Sequence, residues 1–184
     1  MGGRCYFFDN DVSREATEFT DNFQIVKNKF KSYDLEWFSV EQAFQALKLG
    51  LKGRKMIYSE EPNGRNEVQY GNYVWHLGSK NGGYKMRDNW DLEKVKVMFI
   101  LNIEKYIAYP HALVDLVEIT GRNRLIGLQS TDSNRHKKYW DFWNGAIQTK
   151  IRDQVNINNL KQLLEDVSQM SNLEAEEYLL ESYE

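Results

Sequence analysis

The sequence predicts an α+β fold, predominantly helical, built as a single domain with a few short strands. Three observations predict it. Apolar positions at helical spacing open behind a cap at Ser39, and a longer helical run follows from Leu92 to Ile103. Near the N-terminus, by contrast, Cys5–Phe8 and Phe23–Val26 are apolar runs too brief for helices.

Taken in order, Cys5–Phe8 and Phe23–Val26 read as strands, with Phe30–Trp37 as a hairpin partner. Ser39 followed by Gln42 makes a capping box, and Val40, Ala43, Phe44, Leu47 and Leu51 then form a core face, with Gly53 as the stop. On the other side Glu41, Gln45, Lys48 and Lys52 align as one polar stripe. The glycines from Gly64 to Gly83 read as loop chemistry, with Asn81-Gly82-Gly83 the strongest turn signal. Asp88 or Asn89 caps a central helix whose buried line is Leu92, Val95, Phe99 and Ile103; Val97, Met98, Ile100 and Leu101 make it apolar nearly all round. Pro110 opens a short helix ending before Gly121. Trp140–Val155 reads as another helix. Asn158 or Asn159 caps a terminal one carrying Leu160, Leu163, Leu164 and Val167, with a break near Ser171-Asn172.

Composition bounds the class. A chain of 184 residues fits one domain and can bury a core. Aromatics at 14 % leave rings to line a pocket that stacks on a flat ligand. The lone Cys5 makes no internal disulfide, which leans towards a reducing compartment, and no stretch reads as a signal peptide or a bilayer span. A cytoplasmic location is therefore expected, with no membrane partner. From Val155 onward seven acids face one base, Lys161, so the preceding body carries +3 within a net charge of −3. Such a body suits a phosphate-bearing ligand but lacks the dense basic stripe of a duplex-DNA grip; solvated surface charge explains it equally.

The chain has no P-loop, no Gly-x-Gly-x-x-Gly and no Gly-x-Ser-x-Gly. His76, His111 and His136 show no ligand spacing, so no zinc site is expected. Carboxylates remain. Glu41 falls at the second position of its helix, where free N–H groups and the macrodipole favour negative charge. It should stay ionised at neutral pH, fit to stabilise a developing cation or act as a base. Acids are common in first turns because they stabilise helices, so position alone assigns no function.

Several segments together resemble the YbiA/NADAR family. Asp21-Asn22-Phe23 is similar to its Ser-Asn-Phe. Trp37-Phe38-Ser39-Val40-Glu41-Gln42-Ala43-Phe44-Gln45-Ala46-Leu47-Lys48 resembles its Trp-Pro-Thr-Val-Glu-His-Tyr-Phe-Gln-Ala-x-Lys signature. Arg87-Asp88-Asn89-Trp90 with Lys94 and Met98 resembles Arg-x-Asp-Trp…Lys…Met, and Leu116…Thr120-Gly121…Leu125-Ile126 resembles Leu-Leu-x-Thr-Gly…Leu-Val. Asp132 falls at the following family aspartate, and Gly145 and Arg152 in its closing Leu-Gly…Arg segment. The resemblance covers about residues 5–155 and is most specific around Glu41. It divides the chain into a YbiA/NADAR-like domain over residues 1–155 and an acidic, helical C-terminal extension over 156–184. Gly127 and Phe142 stand where the family has glutamate and asparagine, Gln42 where it has histidine, and Asn72 where it has arginine.

The resemblance implies an N-glycosidase, a hydrolase of ribosyl C–N bonds that needs no cofactor. Family activities include hydrolysis of riboflavin-pathway ribosylamino-pyrimidine intermediates and removal of ADP-ribose from guanine bases. The reading favoured for this chain is the second, on nucleic acid carrying modified guanine, as an antitoxin reversing a DNA-modifying ADP-ribosyltransferase. It places Glu41 and Asp132 in catalysis, and Asn22, Trp37, Phe44, Gln45, Lys48, Arg87 and Trp90 in substrate binding. Breaking the C–N bond passes through an oxocarbenium-like state that an ionised carboxylate stabilises. Trp90 would stack on base or ribose, or simply anchor its helix; Lys48 would meet phosphate, or simply be a surface lysine. Gly127 and Phe142 motivate a different reading, a non-catalytic module that binds ADP-ribose or engages a protein partner through its acidic tail.

Overall fold

A computed structural model describes residues 3–128, 134–181 and 183, with backbone alone at 128 and 134–138. It is α+β and mostly helical, as the patterning predicts. Strand β1 (Gly3–Asp9) is central in a three-stranded antiparallel sheet, between β2 (Val12–Glu15) and β5 (Ile126–Leu128). Cys5 and Phe7 point inward and Tyr6 and Phe8 outward, the period-two alternation of a half-buried strand. Asn10 and Asp11, at φ 49° and 64°, close the β1–β2 hairpin with the positive-φ pair that a two-residue turn requires. Tyr33 and Asp34, at φ 51° and 60°, close a second hairpin between β3 (Phe30–Ser32) and β4 (Leu35–Trp37). That hairpin lies inside the expected Phe30–Trp37 unit. Phe23–Val26, expected as a strand, is irregular; Val26 N donates to Phe38 O at 2.8 Å but joins no ladder.

The expected first helix is two. Helix α1 (Val40–Leu47) ends before Gly50, and α2 (Leu51–Tyr58) starts anew with Gly53 inside it. Gly53 is therefore not a stop. A Cβ there would lie 2.7 Å from Leu49 Cδ1 and 3.0 Å from Tyr84 Cβ, so glycine allows close packing. Leu51, expected in the core, is exposed. The glycine-rich stretch read as loop holds α3 (Glu67–Gly78), which opens on a capping box between Asn66 and Gln69. Its inward face contains Gly71 and Gly78, where a Cβ would strike Phe23 and Gln45.

Helix α4 (Trp90–Ala108) is the central one. Helices α1, α5 (Pro110–Thr120), α6 (Asn134–Arg152), α7 (Ile157–Gln169) and α8 (Asn172–Leu180) all pack on it, as does β3. Val95, Met98, Phe99, Leu101, Ile103 and Tyr106 are fully buried, but Leu92, expected on the same line, is exposed. Helix α6 starts earlier than the expected Trp140 and lies against β1 and β5. Helix α7 takes its cap from Asn156, whose side chain accepts from Asn158 N and Asn159 N, rather than from Asn158 or Asn159. The break before α8 falls at Met170-Ser171, as expected. Among the described residues no helix is long and apolar enough to cross a membrane.

Candidate active site

The site grows from the start of α1. Ser39 Oγ accepts from Gln42 N at 3.1 Å, capping the helix. The capping box is only half made, because Gln42 Oε1 accepts from Phe38 N at 2.9 Å. Gln42 Nε2 donates to Ile57 O and Glu60 O, tying α1 to the end of α2. With its start pinned from two sides, the next residue inward, Glu41, is fixed in the core. Glu41 N donates to Asn22 O at 2.9 Å, so the Asp21-Asn22-Phe23 segment and Glu41 are joined through backbone.

Glu41 is fully buried. Its Oε1 accepts from Gln45 Nε2 at 2.8 Å, and Gln45 Oε1 accepts from Lys48 Nζ at 3.4 Å. The polar stripe of α1 is thus a hydrogen-bonded chain, although Lys52 lies beyond it on α2. Among the described residues Glu41 Oε2 has no partner. Asn22 Nδ2 donates to Asn144 Oδ1 at 3.4 Å, while Asn22 Oδ1 likewise has no partner among them. Burial pushes the Glu41 carboxyl above its ordinary value of 4.5, against the opposing effects of the Gln45 hydrogen bond and Lys48. The first-turn position therefore does not hold it as an ordinary ionised acid; desolvation outweighs the helix end. Burial likewise lowers Lys48, opposed by Glu41 and Asp91.

A buried polar network lies behind Asn22. Asn144 Nδ2 donates to Thr20 O and Gly3 O, each at 3.1 Å, and Gln148 Nε2 donates to Asn102 Oδ1 at 2.9 Å. Tyr106 OH donates to Gln148 Oε1 at 3.0 Å. Lys105, buried and lowered to about 8 by desolvation, donates to the Phe19 and Asp21 carbonyls and holds the chain leading into Asn22. Burial raises the Cys5 thiol to about 12, which leaves it inert as a nucleophile.

Two of the three expected aromatic residues, Phe44 and Trp90, meet in one cluster, joined by Trp140. Phe44 contacts Trp90 edge-on with centroids 4.8 Å apart and Trp140 at 5.2 Å. Trp90 is 3 % exposed, and Arg87 lies 5.4 Å from its ring centre. The Trp90 ring packs into the core at the start of α4, as a helix anchor does. Arg87 donates through Nε to Leu47 O at 2.8 Å and pairs with Glu93 at 2.6 Å. Trp37 stands apart from the cluster, fully buried against Tyr58 with Nε1 donating to Ser32 O at 3.0 Å, so no surface of it is left to touch a substrate. Asp132 lies outside the described residues.

Asn144, Gln148 and Asn102 escape a reading by motif. The signal was present: Asn144 and Gln148 share the face of α6 that carries Trp140, Ile147 and Ile151, and a polar pair on an apolar face needs buried partners. Gly78 also escapes. A Cβ there would lie 2.1 Å from Gln45 Oε1, so the end of α3 sets the position of Gln45. Among the described residues no group of three or more His, Cys, Asp or Glu is placed to hold a metal ion. Comparison with protein-family models, curated proteins and solved structures gives no match.

Proposed function

We propose that the chain is an N-glycosidase that hydrolyses a ribosyl C–N bond, and that its substrate is ADP-ribose attached to guanine in nucleic acid, so that it reverses a DNA-modifying ADP-ribosyltransferase. The observation that carries this reading is a pair of buried acceptors, Glu41 Oε2 and Asn22 Oδ1, that have no partner among the described residues and sit on residues joined by one backbone hydrogen bond. Each costs about 1–3 kcal/mol left unmatched. Both accept and neither donates, which complements the hydroxyls of a ribose or an attacking water. The residues come from the two family segments that the sequence resembles most closely around the signature glutamate.

In this reading the C–N electron pair leaves with the base, and positive charge develops on the ribosyl ring. Ionised Glu41 stabilises it and takes a proton from the water that attacks the anomeric carbon. A carboxyl raised by burial is better matched to that proton transfer near neutral pH than an ordinary one. Gln45 orients one oxygen, and Lys48, at the outer end of the chain, supplies countercharge to phosphate. Glu41 and Asn22 are sealed from solvent, so the reaction requires an opening when substrate binds.

A second reading, a binder without turnover, is favoured by Gly127. A Cβ there would lie 2.5 Å from Asp141 O, so the glutamate that the family carries at this point has no room. One experiment separates the two. The protein and Glu41→Gln are incubated with an oligonucleotide carrying ADP-ribosylated guanine, with a phosphorylated ribosylamino-pyrimidine as the alternative substrate, and mass spectrometry follows the freed sugar, ADP-ribose from the first and ribose phosphate from the second. Release by the wild type and none by the folded variant is the expected result. Binding of ADP-ribose without release from either substrate would replace the first reading with the second, and absence of both would remove both.

A further inference from the structure

A cavity of about 680 Å³ lies at the far end of α6 from the aromatic cluster; its lining includes Arg122, Arg124, Thr149, Arg152, Asp153 and Tyr183. From Asn144, which meets Asn22, to Arg152 is eight residues of helix, roughly 12 Å at about 1.5 Å per residue. The lining of the cavity includes neither Glu41 nor Asn22, so it is separate from them.

Its floor is an arginine shut off from water. The Arg152 side chain is 5 % exposed; Nε and Nη2 donate to Asp153 Oδ1 at 2.9 and 2.7 Å, and Nη1 donates to Asn123 O. A guanidinium has five N–H groups. Three are used, and two remain on a buried group beside an open cavity. Arg124 lies over the Tyr183 ring, 4.0 Å from its centre, and among the described residues neither Arg124 nor Arg122 pairs with a carboxylate.

The ends of α5 and α6 converge here, and each contributes roughly half a negative charge. Those carbonyls and Asp153 offset about two of the three positive charges. The helix ends explain Arg152, which satisfies Asn123 O, but leave Arg122 and Arg124 unexplained. The cavity therefore keeps about one net positive charge, within a body that carries +3 before Val155.

We propose that this cavity is an anion site for phosphate groups, with Arg122 and Arg124 gripping the oxygens and Arg152, held by Asp153, as the buried floor. Guanidinium forks match phosphate oxygens in pairs, and the volume admits a nucleotide-sized ligand. The phosphate belongs either to a free nucleotide or to a nucleic-acid backbone. The site stands without the reaction proposed above, because its occupancy is read with no turnover.

The full chain is titrated with inorganic pyrophosphate by calorimetry, and with a labelled single-stranded oligonucleotide by fluorescence anisotropy at several salt concentrations. Arg122→Gln/Arg124→Gln should weaken pyrophosphate binding by at least about tenfold while melting cooperatively. Arg122→Gln alone, at an exposed position, keeps the test open should the double variant be unstable. Asp153→Asn should tighten binding by about threefold, whereas a purely structural Arg152–Asp153 pair would give a less stable protein with no gain. An oligonucleotide displaced by pyrophosphate, with a salt slope that falls by about 1.4 in the double variant, identifies the backbone as the source. Pyrophosphate binding with no oligonucleotide binding identifies a free nucleotide. No pyrophosphate binding by the wild type, or equal binding by the arginine variants, overturns the site.

Discussion

Glu41 sits where its charge is costly. One carboxylate oxygen has Gln45, the other has no partner among the described residues, and the side chain is closed off from bulk solvent. Because the folded state raises its pKa, the native protein binds this proton more tightly than the unfolded chain. The contribution of Glu41 to stability is then greatest below the ordinary value of 4.5 and falls as pH rises through the raised one. Glu41→Gln keeps the Gln45 hydrogen bond and removes the titration. It should melt higher than the wild type at pH 8, by an amount corresponding to about 1–3 kcal/mol, with the gap closing towards pH 5. Thermal melts across that range check this, and a gap independent of pH would mean that Glu41 is not the group responsible. Gly78 acts on the same carboxylate from outside. Gly78→Ala drives a methyl into Gln45 and should cost about 1–3 kcal/mol by overpacking. It should also displace the Glu41–Gln45–Lys48 chain, so that, under the proposed glycosidase function, turnover in the ADP-ribose release assay falls further than stability does.

At the scale of elements, the helices that a reader of the sequence finds are those with an apolar stripe. Helices α1, α4 and α5 show one, and Pro110 and Ser39 mark two of their starts. Helix α2 buries only Gly53 and Ile57, so it has almost no stripe to see. Helix α3 packs through glycines, and residues that usually signal a turn serve here to let Phe23 and Gln45 approach. The two hairpins differ in the same way. Phe30–Trp37 carries its apolar residues on both strands, whereas β2 is exposed along its length and exists through its ladder to β1. Beyond α6 the chain turns at Val155, whose φ of 64° is unfavourable for a β-branched residue. Val155 is exposed, so little packing is lost on replacing it. Val155→Gly should stabilise the protein by about 0.5–1 kcal/mol, the relief of strain exceeding the added freedom of the unfolded chain. A denaturant midpoint that moves downward would show that Val155 contributes packing that its exposure conceals.

Taken as one body, the molecule does not set its acidic tail apart. Leu160, Leu163, Val167 and Leu179 are buried, Tyr183 OH donates to Leu125 O at 2.8 Å, and Lys96 donates to the carbonyls of Ser168 and Met170. Burying four such aliphatic side chains contributes roughly 6–12 kcal/mol, as large as the whole stability of an ordinary domain, about 5–15 kcal/mol. Deletion of residues 156–184 should therefore abolish cooperative unfolding rather than merely lower the melting temperature. A truncated protein with a sharp melt would show that the remaining core stands without α7 and α8.

The sequence by itself determined the class, the central helix, the cap at Ser39 and the alignment of Glu41, Gln45 and Lys48, because helical period and capping chemistry are local and are written in neighbouring residues. It did not determine that Glu41 would lose its water, or that Asn22 and Asn144 would meet across 122 positions of chain. Nor did it show that glycines in α3 would press on Gln45, or that Arg122, Arg124 and Arg152 would gather around one cavity. Those depend on which surfaces the helices bury against one another. Desolvation and long-range contact are properties of the packed chain, and tertiary structure alone decided them.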